Sequence, residues 1–312
     1  MLCLALSQEL RPNIAEMMLG PFMNAPTNQG AMGADQPDYG LCDVPGSRHR
    51  FRGPSVDFDE PFVAVLGGTE TFGKYVTAPY PSLLGRKLNT PVMNFGIAQV
   101  GLTLLCDDDW LLDRASQADL TVLQVPSAQN MSNRLYSVHS RRNDRFLNVS
   151  PALRAIFPKV DFADIHFTGH LLEVLQAASR SGFEIVVNEL KLAWVRRMQW
   201  VLALIQSRVL LLWVADHRPD ARACRIDATG PSFVDRSMLD TLQDQAIGLV
   251  EYVSHPTHSV EGMVFPENER RAARSSLGPE DHAAIANALA EALVDVGWGL
   301  GAPVKRAQTA RL

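Results

Sequence analysis

Five apolar residues, Phe62 to Leu66, run without interruption into Gly67-Gly68. A short apolar run cut off by glycine reads as a buried strand of a parallel sheet, whose strands are covered on both faces. Ligands of open α/β sheets sit beyond the carboxyl ends of the strands. The loop from Gly67 to Lys74 is therefore the first place to look for function.

The rest of the chain repeats the pattern. Further strands are expected at Val92–Asn94, Leu120–Val125, Arg208–Val214 and Leu249–Val253. Helical spacing falls at Pro81–Lys87, Leu102–Ser116, Ile165–Arg180, Asn188–Ile205, Phe233–Ala246 and Pro279–Val294. Strands alternating with helices argue for a parallel sheet covered on both faces. The expected fold is a three-layer α/β/α sandwich with a five-stranded, mainly parallel sheet of flavodoxin-like type. Residues 36–298 form its single domain. Residues 36–60 are rich in turn formers and should wrap one sheet edge. Residues 1–35 read as a disordered extension and 299–312 as a tail.

Composition narrows the function. A net charge of -5 gives no bulk attraction to nucleic acid or anionic lipid. Val201–Ala215 is apolar but interrupted by Gln206, Ser207 and Arg208, so no run reaches the ~20 residues that cross a bilayer. The four cysteines form no CxxC pair, which points to reduced thiols in a soluble, cytoplasmic protein. His166 and His170 lie four apart, but Phe162, Ile165, Phe167 and Leu171 around them read as a packing face, so no metal is assigned. No cofactor is implied. The partner class is a small molecule.

Two readings compete for the glycine loop. Gly68–Lys74 fits GxxxxGK, in which backbone N–H groups and the lysine hold phosphate. That reading requires a helix opening at Gly73 or Lys74. It is opposed by Tyr75 in the place of the magnesium-binding Ser or Thr, and by Pro79 and Pro81 shortly after.

The second reading is a resemblance. Gly67-Gly68-Thr69-Glu70-Thr71-Phe72-Gly73, followed by Tyr80-Pro81-Ser82-Leu83-Leu84, resembles the GDSxTxG and YPxLL block of SGNH (GDSL) hydrolases. Asn94-Phe95-Gly96 is similar to their second block. Pro126 to Asn130 is similar to the third, without its glycine. Leu277 to Ala286 matches the final helix. The resemblance implies an ester hydrolase or acyltransferase. Thr69 would stand in for the nucleophilic serine and Gly68 for the family's aspartate. Gly96 and Asn130 would serve the oxyanion hole. The family's catalytic Asp and His fall on Ala273 and Ser276, so the DxxH is absent. From about residue 38 to the last helix, the chain also resembles a bacterial family known as a domain of unknown function, through GGTETFG, the QN-SNR segment and RRNDRF.

Acyl transfer needs a nucleophile, a base and donors aimed at the developing oxyanion. His255, His258 and His282 are the candidates for the base; the plain alternative is that they are ordinary loop histidines. Thr69 has a plain alternative too, a bond to nearby backbone. Arg134, Arg141, Arg142 and Arg145 follow the third strand and suit a carboxylate, phosphate or sulfate, or else form a solvated loop in which Asp144 pairs with one of them. The expected substrate is small and anionic, acylated or carbohydrate-like. The rival function is a non-catalytic binding protein on the same scaffold. An imidazole within reach of the Thr69 hydroxyl would favour catalysis.

Overall fold

The computed structural model describes residues 37–220, 226, 230–254 and 259–297. The expected extension, the tail, His255 and His258 lie outside the described residues.

The glycine-terminated run is β3 (Val63–Gly67), fully buried. The alternation of its side chains divides the core. Val63 and Val65 belong to one apolar cluster, and Ala64 and Leu66 to another, as strand geometry demands of a sheet covered on both faces. β3 pairs in parallel with β4 (Val92–Gly96) and with β5 (Leu120–Gln124). Beyond β5 lie β8 (Arg208–Ala215) and β9 (Gly248–Val253), also parallel. The parallel order β4-β3-β5-β8-β9 is the flavodoxin-like order, and the switch point lies beside β3.

The sheet has seven strands rather than five. The turn-rich segment supplies β1 (Leu41–Asp43) and β2 (Arg50–Arg52), an antiparallel pair laid on the β4 edge. Three-residue strands show no periodicity, so only their wrapping of the edge is legible. A separate hairpin, β6 (Tyr136–Val138) with β7 (Phe146–Val149), follows β5.

On the Val63/Val65 face pack α2 (Tyr80–Leu88) and α10 (Pro279–Asp295), through Tyr80, Leu84, Ile285, Leu289 and Leu293. On the other face pack α3 (Leu102–Asp107), α4 (Asp109–Gln117), α6 (Thr168–Ala178) and α7 (Arg180–Leu204). Three expected helices are cut differently, each by a cap. Asp108 accepts a hydrogen bond from Leu111 N–H (3.0 Å), dividing Leu102–Ser116 into α3 and α4. Ser179 Oγ accepts from Gly182 N–H (3.1 Å), so α7 begins eight residues before Asn188. Phe233 has a φ of 62°, and Asp235 Oδ1 accepts from Met238 N–H (3.1 Å), so the helix after it, α8, is only Arg236–Asp240.

The edge hairpin also places one buried cation. Arg52 is 3% exposed. Its guanidinium donates to the carbonyls of Phe72, Gly73, Val76 and Thr77 and lies over the ring of Tyr39, 5.0 Å from the centroid. A planar fork with five donors can serve several carbonyls at once, which an ammonium cannot do in one plane. This clamp holds the chain that leaves the glycine loop. Arg52→Met should lower unfolding free energy by about 3 kcal/mol, since it removes the guanidinium's hydrogen bonds to four carbonyls at a buried position. A urea midpoint equal to that of the wild type would rule out the clamp.

Candidate active site

The carboxyl ends of the parallel strands come together at a cavity of about 320 Å³. It is lined by Gly68, Thr69 and Glu70 after β3, Gln99 to Gly101 after β4, and Val125 to Ser127 with Asn130 after β5. Asp144, from the tip of the β6–β7 hairpin, and Gly230 complete the wall.

Gln124, the last residue of β5, organises this end of the sheet. Its Oε1 accepts hydrogen bonds from Gly68 N–H (3.1 Å) and the Thr71 hydroxyl (2.6 Å). Its Nε2 donates to Glu70 Oε2 (2.9 Å). The Thr71 proton goes to Gln124, so the bond between Thr71 Oγ1 and the Tyr80 hydroxyl (2.7 Å) has Tyr80 as donor. Burial pushes the Tyr80 phenol well above its ordinary value, so it keeps that proton. Gly67 must be glycine because a Cβ there would collide with Thr71 Oγ1 and Gln124 Oε1.

The phosphate-loop reading fails on this geometry. The helix at the loop, α1, is Thr69–Phe72, and it ends at Gly73 with φ 74°. No helix opens at Gly73 or Lys74; the next begins at Tyr80. Lys74 is paired with Glu269 (2.9 Å) and lies over the Tyr75 ring.

Thr69, Asn130 and Gly68 share the cavity, as the loop arrangement implies. Thr69 is half-buried, and its Oγ1 accepts from Gln99 N–H (3.1 Å). The plain backbone-bonding role is thus realised. Gln99 makes this bond from a left-handed φ of 61°, a costly conformation for a side chain other than glycine or asparagine. Asn130 accepts at Oδ1 from the Thr168 hydroxyl (2.5 Å).

Gly96 does not face the cavity as a donor. Its buried N–H is given to Asn94 Oδ1 (2.8 Å). The next glycine along, Gly101, lines the cavity but donates its N–H to Asn143 Oδ1 (2.6 Å). Asn94 and Asn143 thus take up the N–H groups of Gly96 and Gly101.

His282 fares no better as a base. His282 borders a smaller recess of about 40 Å³ that Thr69 also touches. Its Nδ1 already accepts from Tyr80 N–H (3.1 Å), and its ring stacks on Tyr80 at 5.9 Å. Burial lowers its pKa to about 3, so it stays neutral and structural. Ser276, the position where the resemblance places the catalytic histidine, does border the same recess. Its hydroxyl donates to Ala272 O (2.9 Å). Among the described residues, no imidazole is hydrogen-bonded to Thr69.

None of the four arginines lines the cavity. Arg134 is tied to Glu189 of α7, with Nε to Oε2 at 2.9 Å. Arg141 and Arg142 are exposed at the hairpin tip, and Arg145 lies over the Phe167 ring at 4.9 Å. The anion site expected from them does not form here. Gln124 and Gln99 were not singled out by sequence, and Asp144 was read there only as a partner for an arginine. Gln124 carries the one usable signal, a lone amide closing an apolar strand.

The chain belongs to the family described as Domain of unknown function (DUF6473), whose model matches residues 27–297. No curated protein matches it in sequence. Solved structures with similar chain paths include a lipase from a goat rumen metagenome, at 11% identity over 77% of this chain and 99% of the lipase, TM-score 0.39. Another is a carbohydrate esterase family 2 enzyme with its carbohydrate-binding domain from Corynascus thermopiles (Myceliophthora fergusii), at 12% identity over 80% and 69%, TM-score 0.39. A third is a catalytic mutant of an acetylxylan esterase from Geobacillus stearothermophilus, at 12% identity over 76% and 94%, TM-score 0.35. At such scores these likenesses assign no chemistry to this chain.

His282 makes stability depend on pH with a definite sign. Its folded pKa lies below the unfolded value, so the unfolded state takes up the proton first. The stabilisation is complete above the ordinary histidine value of 6.5 and is lost as pH falls toward about 3. Unfolding free energy should fall by up to about 1.4 kcal/mol per pH unit across that window. His282→Asn should be less stable at neutral pH and flatten this part of the profile. Chemical denaturation at several pH values measures both. An unchanged slope in the variant would reject the assignment.

Proposed function

We propose that this protein binds a small hydroxylated, carbohydrate-like molecule in the Thr69–Asn130 cavity without hydrolysing it. The observation that carries this reading is the pairing at the would-be nucleophile. The Thr69 hydroxyl is held by Gln99 N–H, while Ser276 occupies the position that the resemblance gives to the base. A serine hydroxyl is far too weak a base to take the nucleophile's proton as an imidazole would.

The lining supports the ligand class. Thr69, Gln99, Gln124, Ser127 and Asn130 are short uncharged polar groups around a cavity large enough for a sugar ring. The Gln124 bonds hold the loop rigid, which lowers the entropic cost of capture.

Ester hydrolysis is the second reading. One observation favours it: Thr69 and Asn130, a nucleophile candidate and an oxyanion donor candidate, face one cavity. The two readings part in one experiment. Wild type and Thr69→Ala are titrated with mono- and disaccharides by calorimetry, and assayed on short acyl and acetyl-sugar esters. The expected result is saturable sugar binding and ester turnover no faster for wild type than for Thr69→Ala. Turnover that falls at least ~100-fold in Thr69→Ala, with its fold intact, would overturn the binding reading in favour of hydrolysis.

A further inference from the structure

Among the described residues, the Asp144 carboxylate finds no hydrogen-bond partner. Asp144 lines the cavity, and its Oδ1 is buried. Its main-chain carbonyl, by contrast, accepts from Thr168 N–H (2.9 Å), which fixes the residue at the wall. Three arginines surround it in sequence, yet none pairs with it: Arg145 stacks on Phe167, and Arg141 and Arg142 face solvent. Among the described residues, Asp144 forms no ion pair.

A half-buried carboxylate without a donor is unfavourable, and structures seldom retain one unless something outside the chain completes it. The remaining charged group of the lining is Glu70, also an acid, whose Oε2 is satisfied by Gln124. Among the described residues, no Lys, Arg or His lines this cavity. The charge of its described lining is therefore of one sign, and walls of low dielectric strengthen the field inside it.

We infer that the ligand carries a protonated amine, and that Asp144 is the residue that recognises it. This rests on the binding reading above and narrows it from hydroxylated molecules to cationic ones, such as amino sugars. The ammonium would donate to the Asp144 carboxylate. Thr69, Ser127 and Asn130 remain for the ligand's hydroxyls.

Glucosamine, glucose and glucuronate form a matched set of probes, equal in ring and differing in charge. Calorimetric titration of the full chain should show glucosamine binding roughly tenfold more tightly than glucose, the effect of one charge-assisted hydrogen bond, with glucuronate weakest. Asp144→Asn keeps the shape of the side chain and should bring glucosamine to within about threefold of glucose. Equal affinity for glucosamine and glucose, or a preference that survives Asp144→Asn, would overturn this inference and leave the binding reading intact. Glucuronate binding best would overturn it as well. If none of the three binds, the binding reading fails first and this inference with it.

Discussion

The functional end of this protein depends on the side-chain amide of Gln124. An amide both accepts and donates, and here it does both in one buried place. Through Oε1 it holds Gly68 and Thr71, and through Nε2 it holds Glu70. The strand β5 is thereby locked to the loop that follows β3. Thr71 extends the lock to Tyr80 at the start of α2, and Tyr80 extends it to His282 on α10. A hydrophobic side chain at 124 would remove the hydrogen bonds to Gly68, Thr71 and Glu70 at once, each worth about 1 kcal/mol.

The same economy of partners underlies the binding reading proposed for this site. A general base needs a free lone pair, and an oxyanion hole needs free donors. Among the described residues, several of the candidates are already engaged. His282 accepts from backbone, Gly96 and Gly101 donate to asparagines, and the Thr69 hydroxyl accepts from Gln99. Groups arranged to satisfy one another build a firm wall. Arg52 does likewise on the far side of the loop, holding carbonyls rather than a ligand. Asp144 stands apart because its carboxylate has no such partner.

Much of the fold was legible in the sequence. β3, β5, β8 and β9 were readable as apolar runs, and α10 was readable from its proline, acidic first turn and apolar face, because strand and helix periods are local properties. The hairpin β1–β2 was not, since three residues carry too little pattern. The split at Asp108 and the start of α7 at Ser179 turned on single capping side chains within an otherwise helical spacing. The arginine cluster illustrates a different limit. Four cations near a strand end looked like an anion site, but a hairpin turns each of them outward or onto a neighbour.

By itself, then, the sequence determined the layered α/β class, the loop at which a ligand would sit, and the absence of the DxxH pair. These follow from residue type and short spacing. Only the tertiary structure decided which candidates share a cavity and which are already engaged. The partners that settle it are remote along the chain: Gly68 meets Gln124 across 56 residues, and Tyr80 meets His282 across 202. Whether a donor or lone pair is free depends on its neighbours in space, and linear spacing does not encode those neighbours. The unpartnered carboxylate of Asp144, amid three arginines in sequence and none in contact, is the clearest case.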